Sequence, residues 1–408
     1  MIKIVKVLTV LFISIDLFAA TVTPSQLEAK ILLEKMTGTK IPLTHSLIQP
    51  MADKIFAGDR LGAAKLATTH PNFLNITVKL MALGLSTREE TLRQDLNDFA
   101  AMFIGVTRDQ TDARELLTGN FEYVADPAKV PAGVTIRSNP VEDVIKSNNH
   151  FHDIGLKLDI GNSLMRISGQ RMRPTDDKLG PVANPDPAGV LTSRSFILAH
   201  ATAGTNRRLV EYTMREFMCS PIENWADVTV SDDRIGRDID RFPGGDHQKF
   251  LTSCKACHTV MDGFRGAFSK WDATDNSAAY SSLKNGGSFD GKGIATKMNK
   301  NNNVFPDGYV MTDDSFINNG KGTANTELFG WRETRTVNMG VHQFGELISN
   351  SKRFSQCMVK RTFEAVCRRA LDIKSNINYV NLHAGRFEET RYNLNVLFQE
   401  VVVSQECQ

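Results

Sequence analysis

The chain has 408 residues, of which 41% are hydrophobic and 23% charged, and its formal net charge is +2. That length exceeds one simple core and points to two or three sub-domains, while the composition is that of an ordinary globular protein. A charge balance this close to neutral gives no argument for nucleic acid or an anionic membrane surface as a partner.

The N-terminus stands apart. Lys3 and Lys6 form a short positive region, residues 7–15 are a nearly unbroken apolar run, and Phe18-Ala19-Ala20 offers a small-residue cleavage site. This is the three-part layout of a secretory signal peptide, so residues 1–20 are expected to direct export. Asp16 departs from the layout, and a buried N-terminal strand is the other reading of the same residues. The run falls short of the roughly 20 residues a membrane-spanning helix needs. No other segment approaches that length, so the mature chain is expected to have no transmembrane segment. An oxidising envelope compartment permits disulfides.

The rest reads as mainly α, a multi-helix protein with long irregular loops. A helix opens at Pro24, with Leu27, Ile31, Leu32 and Met36 at helical spacing. A second is expected over 71–85. Thr87-Arg88-Glu89-Glu90 has the form of a capping box, followed by Leu92, Leu96, Phe99, Met102 and Phe103 on one helical face. A loop over 127–140 precedes a further helix within 141–166, and a proline-rich loop over 174–189 marks the best boundary. The expected division is an N-terminal helical domain, 21–180, docked on a C-terminal domain, 181–408. The latter begins with helices over 191–201 and 206–219. Residues 272–330, with Asn285-Gly286-Gly287 and an asparagine-rich tract around 299–303, read as one long loop. Two closing helices are expected over 344–373 and 388–404.

Between these lies Cys254-Lys255-Ala256-Cys257-His258. Two thiols three apart on one helical turn can meet two vinyl groups, and a histidine directly after the second thiol lies beneath the iron. This is the pattern of covalent haem c attachment, with His258 as the proximal ligand. One haem c per chain is therefore expected, held by Cys254, Cys257 and His258. Three alternatives stand beside it: a redox dithiol, which wants a thioredoxin-like βαβ context; a zinc site, with only Cys219 and His247 nearby; and a local disulfide, strained at this spacing. For the sixth iron position Met311 is the candidate, with Met298, Met339, His247 and His342 as others; Met261 is too close to His258 to reach the opposite face. Each of these side chains is also an ordinary packing residue. Phe264, Phe268 and Trp271 could line a haem edge or a plain core. Arg265 and Lys270 could pair with propionates or with solvent.

Four cysteines remain: Cys219, Cys357, Cys367 and Cys407. Cys357 and Cys367 lie on one expected helix, about 15 Å apart along its axis, so they should not bond each other. Two pairings survive. The preferred one joins Cys367 to Cys407 and Cys219 to Cys357.

The stretch 191–272 resembles cytochrome-c-like domains of bacterial envelope proteins. The resemblance rests on the Arg208–Cys219 helix with Pro221 behind it, on Cys254-x-x-Cys257-His258, on Met261-Asp262 and on Gly266-Ala267-Phe268. Residues 353–369 look like the closing helix of such proteins, and 96–124 are similar to their N-terminal helical part. Gly263 stands where many of them carry proline. The resemblance implies haem binding and electron transfer but no substrate. The expected role is one-electron transfer or redox sensing in the envelope of a Gram-negative bacterium, with a redox partner protein of unknown identity. A haem enzyme of peroxidase or oxidase type and a structural use of haem are the rival classes.

Overall fold

The computed structural model describes residues 22–87, 94–137, 145–172, 181–201, 204–283, 287–300, 305–333 and 337–408. The expected signal peptide, the capping box beyond Thr87, residues 174–180 of the proline-rich loop, Asn285-Gly286 and the asparagines at 301–303 lie outside the described residues.

The described chain is mainly helical. Helix α1 (Pro24–Thr37) starts where the sequence places it. Thr23 accepts from the Gln26 N–H at 3.2 Å, the Gln26 side chain accepts from the Thr23 N–H at 3.0 Å, and Pro24 occupies the first turn. Gly38, at φ 68°, closes it in the left-handed region that glycine tolerates. Helices α2 (Ile48–Phe56) and α3 (Arg60–Ala67) pack on α1. The 71–85 helix begins as a π turn over Phe73–Val78 and continues as α4 (Lys79–Leu85).

Helix α5 (Asp98–Asp109) is capped by Asn97, which accepts from the Ala100 N–H at 2.9 Å. It is buried on all sides from Asp98 to Thr107, the mark of a central helix. Phe99 and Phe103 are fully enclosed; each such side chain contributes about 1.5–3 kcal/mol by leaving water. Strand β1 (Phe121–Ala125) pairs antiparallel with β2 (Leu164–Ser168), Phe121 opposite Ser168. The helix expected within 141–166 is therefore shorter. Helix α6 (Asn149–Lys157) ends where Leu158 turns extended, and Leu164 already belongs to β2.

Helices α7 (Arg194–His200) and α8 (Arg207–Met218) follow. Helix α9 (Lys255–Phe264) carries the cysteine motif and runs on as a 3-10 turn over Arg265–Phe268. The long loop contains more structure than its composition suggests. Strands β3 (Trp271–Thr274) and β4 (Ser277–Tyr280) form a hairpin around Asp275 and Asn276, both at positive φ, as a tight two-residue turn requires. Strand β5 (Ser315–Ile317) pairs with β6 (Val337–Met339), and helix α10 (Thr323–Phe329) lies between them.

Four helices close the chain where two are expected. Ser351 caps a new helix by accepting from the Phe354 N–H at 3.1 Å, splitting 344–373 into α11 (Gly340–Ser349) and α12 (Lys352–Cys367). Arg391 and Tyr392 at positive φ and the cap Asn393 separate α14 (Leu394–Val402), which falls within the expected 388–404, from α13 (Ile377–Glu389), a helix that the sequence reading does not include. Helix α12 packs on α4, α8, α13 and α14, and α14 reaches α1, α3 and α5. The ring of Phe73 meets that of Phe398 edge-on at 5.2 Å. Disulfides join Cys219 to Cys357 and Cys367 to Cys407, each with Cα atoms 5.2 Å apart, the preferred pairing. No helix among the described residues is long and apolar enough to cross a membrane.

Candidate functional site

The chain approaches the motif through an irregular segment that ends in one helical turn, His247–Lys249, capped by Asp246. A π turn over Phe250–Cys254 follows and hands over to α9. Such one-residue insertions recur at functional sites because they rotate the following side chains relative to the preceding ones. Phe250 anchors the turn: it is fully buried beneath the guanidinium of Arg241, 4.6 Å from the ring centre. Cys254, Cys257 and His258 are all half-buried, and both thiols are free while the other four cysteines are paired.

Behind His258 lies a buried charge cluster. The Nδ1 of His258 is 3.3 Å from Oδ1 of Asp262, one helical turn on. Asp262 is fully buried and receives a bidentate Arg207: Nε to Oδ1 at 2.6 Å and Nη2 to Oδ2 at 2.7 Å. The Gly236 N–H adds a bond to Oδ2 at 3.0 Å. Arg207 also binds Asp238, with Nη2 donating at 2.9 Å. Burial alone would push the Asp262 carboxyl up; Arg207 first, and Arg265 with it, outweigh that and hold it well below the usual carboxylate range. Arg265 itself is fully buried. Its guanidinium makes no hydrogen bond among the described residues, and Asp238 lies 3.6 Å away. Asp262 and Asp238 offset its charge, but its N–H donors have no acceptor, which costs free energy.

Met311 is buried in a small apolar cluster of its own with Ile294, Ala295 and Met298. Its main chain is clamped by the Asn299 side chain, N–H to Oδ1 and Nδ2 to carbonyl, both at 2.8 Å. Its sulfur packs near Gly266, 3.4 Å from where a Cβ on that residue would sit. That is eight positions past His258, about 12 Å of helix rise. The other ligand candidates lie elsewhere. Met339 is exposed on β6, and Met261 is buried in the main core. His342 donates from Nδ1 to the Pro187 carbonyl at 3.0 Å on α11. His247 stacks on Phe250 and donates from Nδ1 to the Arg241 carbonyl at 2.8 Å. Phe264, Phe268 and Trp271 are core residues, the first two against Phe344 and the third against Tyr280. Lys270 pairs with Asp314 at 3.0 Å.

The alternatives to haem gain little from this geometry. Burial first, and Glu223 next, push the Cys257 thiol up, the opposite of an activated dithiol. Cys219 is committed to Cys357 and so cannot complete a zinc site. Among the described residues no group of three or more His, Cys, Asp or Glu side chains is placed to hold a metal ion by itself. Comparison with protein-family models, with curated proteins and with solved structures finds no match to this chain.

Proposed function

We propose that the chain is an exported monohaem c-type cytochrome-like protein that transfers one electron at a time, or senses redox state, in the cell envelope of a Gram-negative bacterium. The observation that carries this reading is the state of its cysteines: four are paired, and the two that remain free stand one helical turn apart, directly before His258. The surroundings fit the group. Cys254 and Cys257 would each add S–H across a vinyl group to give a thioether, and His258 has its Nδ1 occupied by Asp262, so its Nε2 is the atom left for iron. Arg265 is a buried guanidinium whose nitrogens make no hydrogen bond among the described residues, and a propionate oxygen would accept from it. Haem bound there supplies a reversible one-electron couple. The chain's own part is to fix the imidazole, to hold the buried charges in balance and to exclude water from α9 on its inner face. Met311 is our proposed sixth ligand; to serve, its sulfur must leave the cluster with Ile294 and Met298. Two disulfides agree with an oxidising compartment, as does the N-terminal sequence layout. The partner is a redox protein.

The test is a pyridine haemochrome spectrum of denatured protein, purified from the envelope fraction of cells equipped for c-type haem attachment. Wild type should retain haem through denaturation, and the Cys254→Ala, Cys257→Ala variant should lose it. A folded, exported wild type without covalent haem refutes the reading.

A further inference from the structure

His258 and Asp262 are four residues apart on α9, so their side chains share one face, and Nδ1 lies 3.3 Å from Oδ1. The carboxylate cannot swing away. Arg207 grips both oxygens and the Gly236 N–H holds Oδ2, while Asp238 fixes Arg207 from the other side. An ionised carboxylate only accepts hydrogen bonds. The proton of the His258–Asp262 contact therefore sits on Nδ1, and in the neutral imidazole the free lone pair is on Nε2. Two aspartates, 238 and 262, face two arginines, 207 and 265, so the cluster is close to neutral. Its effect on the imidazole then comes through the hydrogen bond rather than through net charge.

We propose that Asp262 is a positioning residue for the iron site: it locks His258 as the Nδ1–H tautomer, aims Nε2 at the metal, and by accepting the Nδ1 proton lowers the reduction potential of a haem held there. The proposal rests on the haem reading above. A carboxylate acceptor raises the basicity of a ligating imidazole. Stronger donation favours the ferric over the ferrous state.

The experiment is a spectroelectrochemical titration of the haem-loaded full chain as wild type, Asp262→Asn, Asp262→Glu and Asp238→Asn. Asp262→Asn should raise the midpoint by about 59 mV or more, a tenfold change in the reduced-to-oxidised ratio for one electron. Asp262→Glu keeps a carboxylate and should stay nearer wild type. Asp238→Asn removes the same charge from the same arginines without touching His258 and should shift less. Equal potentials throughout, or an Asp238→Asn shift as large as that of Asp262→Asn, overturn the proposal and leave Asp262 a structural counter-charge. If Asp262→Asn fails to fold, the double variant Asp262→Asn, Arg207→Gln keeps the cluster balanced and should show the same rise; no rise there also overturns it. A wild type without haem refutes the haem reading instead. The tautomer is then read from nitrogen-15 couplings of His258 in the haem-free chain: a proton on Nδ1 upholds the lock, and a proton on Nε2 overturns it.

Discussion

At Gly266 the helical run of the motif passes so close to β5 that a Cβ would lie 1.9 Å from the Ser315 carbonyl oxygen. The obstacle is backbone, so relief requires strand and helix to part. Gly266→Ala should therefore destabilise the fold by about 1–3 kcal/mol, read as a lower denaturant midpoint with an unchanged slope; an unchanged midpoint contradicts this packing. The same scale shows what a short sequence can and cannot disclose. Cys254, Cys257 and His258 stand out in the sequence because the attachment proposed for them depends on local spacing alone. Asp262 is half-legible: its four-residue offset from His258 puts it on the right face. Arg207, Asp238 and Gly236 are not, because only tertiary packing brings α8 and the 232–241 segment onto α9. Arg265 reads from sequence as a solvated or propionate-binding cation; its complete burial is a property of the fold.

Elements were legible where caps and periodicity agree. Helix α1 begins at its expected start with a capping box, whereas α5 begins only at Asp98, after the cap Asn97, although the apolar spacing that marked it already includes the non-helical Leu96. The closing helices were read as too long because their apolar spacing persists across Asn350-Ser351 and Thr390–Asn393, where a cap and two positive-φ residues restart the helix. The hairpin β3–β4 escaped notice because Ala and Ser dominate its second strand and propensity there is low. Helix α6 carries a prediction of its own. Its buried Asp153 accepts from the Arg137 N–H at 2.7 Å and from the Arg137 guanidinium at 3.0 Å, with Lys157 at 3.1 Å. The Arg137 side chain above all holds the Asp153 carboxyl far below the usual carboxylate range. A carboxyl depressed in the folded state adds stability above the unfolded value, about pH 3.9, and loses it as pH falls below that. Asp153→Asn should be less stable than wild type at pH 7, and the gap should narrow in denaturant titrations at pH 3 and below. A gap that stays constant with pH contradicts the assignment.

For the whole molecule the decisive ties are the disulfides and the packing of the last helices on the first. Cys367–Cys407 closes a separation of 40 residues and Cys219–Cys357 one of 138. Chain entropy puts their contributions at about 4 and about 5 kcal/mol. Replacing each pair by serine should lower the unfolding midpoint, with the larger loss for Cys219 and Cys357; a larger loss for Cys367 and Cys407 would show that loop length does not set the order. That Cys357 and Cys367 do not bond each other was legible because they share a helix; this left two pairings, and tertiary packing decides between them. The packing of α14 on α1, α3 and α5 was not, since no local pattern records which distant face an apolar stripe will cover.

The central claim is that Cys254 and Cys257 hold haem. The most direct measurement is a peptide map of the exported, denatured protein by mass spectrometry. The account predicts that the peptide containing both residues carries the mass of haem and resists thiol alkylation, while the other four cysteines appear as the two disulfides. A peptide from the same preparation with Cys254 and Cys257 unmodified and alkylated, or bridged to each other, would contradict it.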